Sequence, residues 1–105
     1  MERGTEEIRT RLPELEELCR RFGVLRLELF GSATREDFDP ATSDLDFLVD
    51  LEPPAGLGYS DSYFGLREAL VQLFGREVDL VTLAAVRNPH FREAIERTRR
   101  PLYAA

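Results

Sequence analysis

The sequence predicts a small α/β fold, a mixed β-sheet with helices packed against it. Three observations carry that expectation. Apolar residues recur at helical spacing in three segments, alternate in two others and form a short apolar run in a sixth. The segments run helix, strand, strand, helix, strand, helix, and the helical crossover between the second and third strands permits parallel pairing. The 105 residues hold no repeat, linker or low-complexity stretch, so residues 1–105 read as one domain.

Residues 5–22 form the first helix, with Ile8, Leu12, Leu15, Cys19 and Phe22 on one stripe. Glu6 and Glu7 suit its start and Gly23 its end, while Pro13 marks a kink or a fresh start. Val24 to Phe30 alternates, with Leu25, Leu27 and Leu29 on the buried side and Arg26 and Glu28 opposite. Residues 45–51 repeat the pattern: Leu45, Phe47, Val49 and Leu51 face one way, Asp44, Asp46, Leu48 and Asp50 the other. Pro53 to Gly58 is a connector. A second helix covers about Ser60 to Phe74, with Tyr63, Leu66, Leu70, Leu73 and Phe74 inward and Gly75 as cap. Glu77 to Thr82 is the third strand. The last helix starts at Asn88-Pro89, presents Phe91, Ala94, Ile95 and Thr98 on one face, and stops at Pro101. Arg97, Arg99 and Arg100 complement its dipole, and the tail Pro101-Leu102-Tyr103 is left to lie against the sheet or a partner.

Composition narrows the function. The net charge of −6 argues against broad nucleic-acid binding, which needs a basic surface. No apolar run is long enough to span a bilayer, and Met1-Glu2-Arg3-Gly4 opens no signal peptide. The single cysteine, Cys19, forbids an internal disulfide and fits a reducing cytosol, so a cytoplasmic protein is expected. Its place on the apolar stripe makes it core packing rather than a nucleophile. All 14 basic residues are arginine, which removes every lysine-based mechanism.

The chemistry lies between Leu29 and Asp50 and in the third strand. Asp44 and Asp46 are two apart in an apolar strand and project to one face. Half-buried carboxylates side by side repel and lose hydration unless a cation neutralises them. Magnesium fits, since it takes one or two carboxylates and fills its sphere with water and substrate phosphate. With the third strand alongside, Asp79 joins them, and three carboxylates could hold two metals about 3.5–4 Å apart for in-line displacement at phosphorus. Gly31-Ser32, a turn after a strand, lets backbone approach phosphate, with amides and the Ser32 hydroxyl as donors. Arg35 adds positive charge near a triphosphate. Asp79 would be the acceptor-side ligand and possible proton acceptor.

Each part alone has an ordinary explanation: Gly-Ser is a common turn, and an Asp-x-Asp pair is often a solvated strand edge. The combination is far more specific. Asp37, Asp39 and Asp50 read as solvated acids, Glu77 as a surface residue at the start of a strand, and His90 as an exposed histidine without a ligand partner.

Gly31-Ser32, Ser43-Asp44-Leu45-Asp46-Phe47-Leu48-Val49 and Val78-Asp79-Leu80-Val81 resemble the signature of polymerase-β-like nucleotidyltransferases. The short chain, the Leu29-Phe30-Gly31-Ser32 opening and the terminal Leu102-Tyr103 are similar to the minimal nucleotidyltransferase group, over nearly the whole length. The resemblance implies a polymerase-β-like palm, nucleotide phosphate at Gly31 and Ser32, and magnesium at Asp44, Asp46 and Asp79. It also implies an antitoxin role: transfer of AMP from ATP to a tyrosine of a partner HEPN-domain ribonuclease toxin, in a hetero-oligomer. Two features depart from the family. The loop between Ser32 and Asp44 is one residue longer than usual, and Glu36 follows Arg35 where glycine is favoured.

Two rival functions remain. One is a non-catalytic antitoxin that occludes its toxin stoichiometrically, using tail residues such as Leu102 and Tyr103. The other is a palm that acts on a small molecule or RNA with a partner supplying substrate contacts; the acidic balance disfavours RNA.

Overall fold

Pro13 begins a helix rather than bending one. The computed structural model describes residues 3–31, 44–82 and 85–105. In it the first helical segment is two helices, α1 (Arg3–Arg9) and α2 (Leu12–Phe22), with Pro13 in the first turn of α2. A proline there gives up no intrahelical hydrogen bond. The stripe survives the break, because Ile8, Leu15 and Cys19 are all fully buried in one core.

Four strands follow in a sheet of order β3-β2-β1-β4. They are β1 (Val24–Phe30), β2 (Leu45–Leu51), β3 (Val78–Thr82) and β4 (Arg100–Ala104). β1 is antiparallel to β2 and β4, and β2 is parallel to β3. The parallel pair is joined through α3 (Tyr59–Phe74), as a crossover requires. The sheet is therefore mixed, with helices against it.

The principal core lies on one face. Leu27 and Leu29, Leu45, Phe47 and Val49, and Val78 and Leu80 meet α1, α2 and the Leu66, Leu70 and Phe74 side of α3. Phe47 stacks on Phe74 at 6.0 Å between ring centroids. Ser62 joins this buried side of α3 because its hydroxyl donates to Phe22 O, which satisfies a polar group the apolar pattern would leave outside. The second face is covered by α4 (Pro89–Thr98), where Phe30, Leu48, Val86 and Ile95 form a smaller cluster. Asn88 caps α4 through its side-chain oxygen, which accepts from the His90 and Phe91 amides.

Three expectations change. Leu25 is not buried: a bulge sets Val24 and Arg26 opposite adjacent residues of β2, so Leu25 turns out and is 39% exposed. Glu28 is not on a solvent face: it is buried under α4 and paired with Arg99. The sheet has a fourth strand that the three-strand expectation lacked: of the two places left open for the tail it takes the sheet, where β4 pairs with β1 and packs Leu102 and Tyr103 against the principal core. Among the described residues no helix is long and apolar enough to cross a membrane.

Candidate active site

Of the candidate residues, Gly31, Asp46 and Asp79 come together on the second sheet face, beside the end of β1. Alternation along β2 sends Leu45 and Phe47 into the principal core, so Asp46 points the other way, half-buried. In the parallel register Asp46 is the partner of Asp79, and Val78 and Leu80 are the core residues flanking Asp79. Both aspartates thus project to one face from strands about 4.8 Å apart. Asp79 is exposed, at the edge of the sheet. Asp44 is exposed one residue ahead of β2. Among the described residues no three acidic, imidazole or thiol groups are gathered into a ready-made metal cluster.

On the other side of Asp46 its register partner is Phe30, and the chain then turns at Gly31 with a left-handed φ of 72°. A Cβ at Gly31 would stand 2.5 Å from Asp46 Oδ2. The glycine is needed for its dihedral and for the room it leaves the carboxylate. Its N–H is given to Thr98 Oγ1 at 3.0 Å, and the Thr98 hydroxyl donates to Ala94 O at 2.8 Å. What Gly31 offers a phosphate is therefore its bare Cα. Ser32 and Arg35, with Glu36, Asp37 and Asp39, lie outside the described residues. A concavity of about 300 Å³ opens here, walled by Phe30, Gly31, Asp46, Phe91, Arg97 and Thr98.

The donor chemistry fits magnesium: Asp46 and Asp79 are hard-oxygen ligands on one face, next to a turn that admits backbone close to a polyanion. Tyr63 of α3 donates its hydroxyl to Leu80 O on the edge strand. Burial first, and the nearby Asp79 carboxylate second, push this phenol up from its ordinary value, with Arg67 opposing. It is a protonated donor at neutral pH. Burial also pushes the Cys19 thiol up to about 12, in keeping with packing rather than nucleophilic use. His90 and Asp50 are exposed, and exposed Glu77 lies 3.6 Å from Arg67.

Sequence reasoning missed Thr98 and Tyr63 as neighbours of the site. Thr98 was legible as a member of an inward helix face, but its acceptor role toward Gly31 spans 67 positions and no local pattern encodes it.

Known proteins resemble the chain in both sequence and fold. The sequence model of the family described as "Nucleotidyltransferase domain" matches residues 14–102. Two similar curated proteins of Methanocaldococcus jannaschii are each named "putative protein adenylyltransferase". One is 32% identical over 81% of this chain and 91% of its own length, and the other 35% identical over 75% and 76%. A solved "putative minimal nucleotidyltransferase" superposes with a TM-score of 0.70 at 34% identity, covering 91% of this chain and 93% of that one. The fold is also shared, at 18% identity and a TM-score of 0.60, with a complex of tri-AMPylated Shewanella oneidensis HEPN toxin and MNT antitoxin, covering 92% of this chain and 72% of that one. With that match across most of its length, and with Asp46 and Asp79 side by side next to the Gly31 turn, the chain belongs to the nucleotidyltransferase-domain family.

Proposed function

We propose that this nucleotidyltransferase is an antitoxin that transfers AMP from ATP to a tyrosine hydroxyl of a partner HEPN-domain ribonuclease toxin, with which it forms a hetero-oligomer. The observation that carries the reading is the in-register Asp46–Asp79 pair beside the Gly31 turn, on the sheet face away from the principal core. The relatives named as protein adenylyltransferases, and the fold shared with an antitoxin bound to an AMPylated HEPN toxin, support the acceptor class.

In this reading Asp44, Asp46 and Asp79 hold magnesium, while Gly31, Ser32 and Arg35 receive the triphosphate. Bound magnesium supplies charge neutralisation at the phosphates and at the departing oxygen. Asp79, on the exposed edge strand, accepts the proton of the incoming tyrosine hydroxyl. The tyrosine oxygen bonds to the α-phosphorus, the bond from that phosphorus to the bridging oxygen breaks, and pyrophosphate leaves with the electron pair. Gly31 keeps the Asp46 carboxylate uncrowded, and Thr98 holds the turn against α4.

The alternative, neutralisation by occlusion alone, loses support from β4, because Leu102 and Tyr103 are packed into the sheet rather than held out for a partner. The test uses α-labelled ATP, magnesium and the partner HEPN-domain toxin. Label on a partner tyrosine is expected, and its loss in the Asp44→Asn, Asp46→Asn double variant. Absence of transfer with nucleotide bound would overturn the enzyme reading. Full toxin neutralisation by the double variant would favour occlusion.

A further inference from the structure

The concavity beside Gly31 has a second wall that the aspartates and the turn do not account for. α4 lies along it and contributes Phe91, Arg97 and Thr98. Thr98 is committed to Gly31. Arg97 and Phe91 have no comparable structural duty. The neighbouring arginines are engaged: Arg99 pairs with Glu28 and Glu96, and Arg100 donates to Arg99 O. Arg97 has no hydrogen bond or ion pair among the described residues, yet its side chain borders the cavity that holds the Asp46 carboxylate. Phe91 is 41% exposed, meets Phe30 edge-on at 6.0 Å and lines the same cavity. A large aromatic left facing a cavity, with an unpaired guanidinium in the same wall, is an arrangement that a mixed apolar and anionic ligand would complete.

We infer that α4 forms the second half of the nucleotide site, with Arg97 binding the polyphosphate and Phe91 forming the apolar platform for the nucleobase. The inference rests on the nucleotidyltransferase reading above and extends it to residues outside the aspartate and Gly-Ser positions. The polarity follows from the packing. Arg97 adjoins Thr98, which is bonded to Gly31, and lines the same concavity as Gly31, so its charge is on the side of the cavity where phosphate is expected. Phe91 lies six residues earlier, about 9 Å along the helix axis, against Phe30. Ribose and α-phosphate would bridge that interval. The charge balance points the same way. A polyanion entering a chain of net charge −6, beside a carboxylate, gains from each cation brought to it, and Arg97 is the cation that the described part of this cavity supplies. Guanidinium also suits phosphate geometrically, offering a planar fork of donors. The base platform needs no hydrogen-bond code, since every base has a face to stack.

The test is calorimetric titration of the full chain, with magnesium, against ATP, AMP and inorganic tripolyphosphate. Arg97→Gln is expected to weaken ATP and tripolyphosphate about tenfold and AMP much less, as loss of one charge-assisted contact implies. Arg97→Lys should recover part of that loss. Phe91→Ala should weaken ATP and AMP by a similar factor of about ten and leave tripolyphosphate unchanged. Both side chains are exposed, so thermal unfolding of each variant should stay close to the parent. Arg97→Gln binding ATP within twofold of the parent would overturn the phosphate assignment, and equal loss of tripolyphosphate in Phe91→Ala would overturn the platform. If the parent itself bound no nucleotide, the proposed function would fall together with this inference. If the parent bound and the variants matched it, this inference alone would fall.

Discussion

The Asp46 carboxylate rests against the bare Cα of Gly31, with room for no further atom: a Cβ there would lie 2.5 Å from Oδ2. The Gly31→Ala variant therefore meets two costs. The left-handed φ of 72° is unfavourable for alanine by about 1–2 kcal/mol. The new methyl group must also push the carboxylate aside. A short side chain can swing away, so the protein should still fold, with its midpoint of thermal unfolding lowered by several degrees. Magnesium-dependent nucleotide binding should suffer far more than stability. A variant that bound nucleotide like the parent would show that the position of Asp46 is not critical.

Thr98 makes a separate prediction. Its oxygen accepts the Gly31 N–H while its proton goes back to Ala94 O, so one hydroxyl ties the turn to α4. Thr98→Val keeps the shape and removes the acceptor. The expected loss is about 1 kcal/mol, with faster hydrogen exchange at the Gly31 amide. Thr98→Ser should restore both. Unchanged exchange in Thr98→Val would mean that another group holds the turn.

Tyr63 reports on Asp79 through pH. Its phenol is raised first by burial and then by the Asp79 carboxylate. A raised acid pKa means that the folded state holds the proton better than the unfolded one. The stability it contributes is complete below the ordinary tyrosine range and is lost as pH rises through the higher folded value. In an absorbance titration of the three tyrosines, one should ionise late. Tyr63→Phe should remove that phase, and Asp79→Asn should bring it partway back. A late phase indifferent to Asp79→Asn would leave burial as its only cause.

The Glu28–Arg99 pair should matter more than any surface ion pair. Glu28 is 6% exposed and lies beneath α4, where Arg99 Nε donates to it at 2.9 Å and Nη2 donates to the same oxygen. That hydrogen bond raises the Arg99 guanidinium, against the lowering effect of its own desolvation. Arg99→Met strands a buried carboxylate and is expected to cost about 3 kcal/mol, read by chemical denaturation. Adding Glu28→Gln to it should recover much of the loss. Loss of less than about 1 kcal/mol in the single variant would mean that water reaches Glu28.

Where the sequence read well, the signal was local and periodic. The i, i+3, i+4 stripes of α2, α3 and α4 and the alternation of β2 follow from side-chain direction alone, so the core residues Leu15, Cys19, Phe47, Leu66 and Leu70 could be named. Where it misread, the cause was non-local. Leu25 obeys the alternation of a flat strand, but the bulge opposite Leu51 and Asp50 displaces it. Glu28 looked solvated because the residue that neutralises it lies 71 positions away. Pro101 stops a helix as expected, yet whether the tail then pairs with β1 depends on an open sheet edge that no window of sequence reveals.

The candidate site divides along the same line. The chain by itself determined which residue types were at hand and their parity: glycine after a strand, and aspartates at positions that alternate away from the core, because pleating is a property of a single strand. Only tertiary structure decided that β3 lies parallel and in register with β2, so that Asp46 and Asp79 become neighbours, and that α4 closes over Gly31 through Thr98. Those are choices among pairings and packings, made by the burial of the whole core rather than by any residue's own preference.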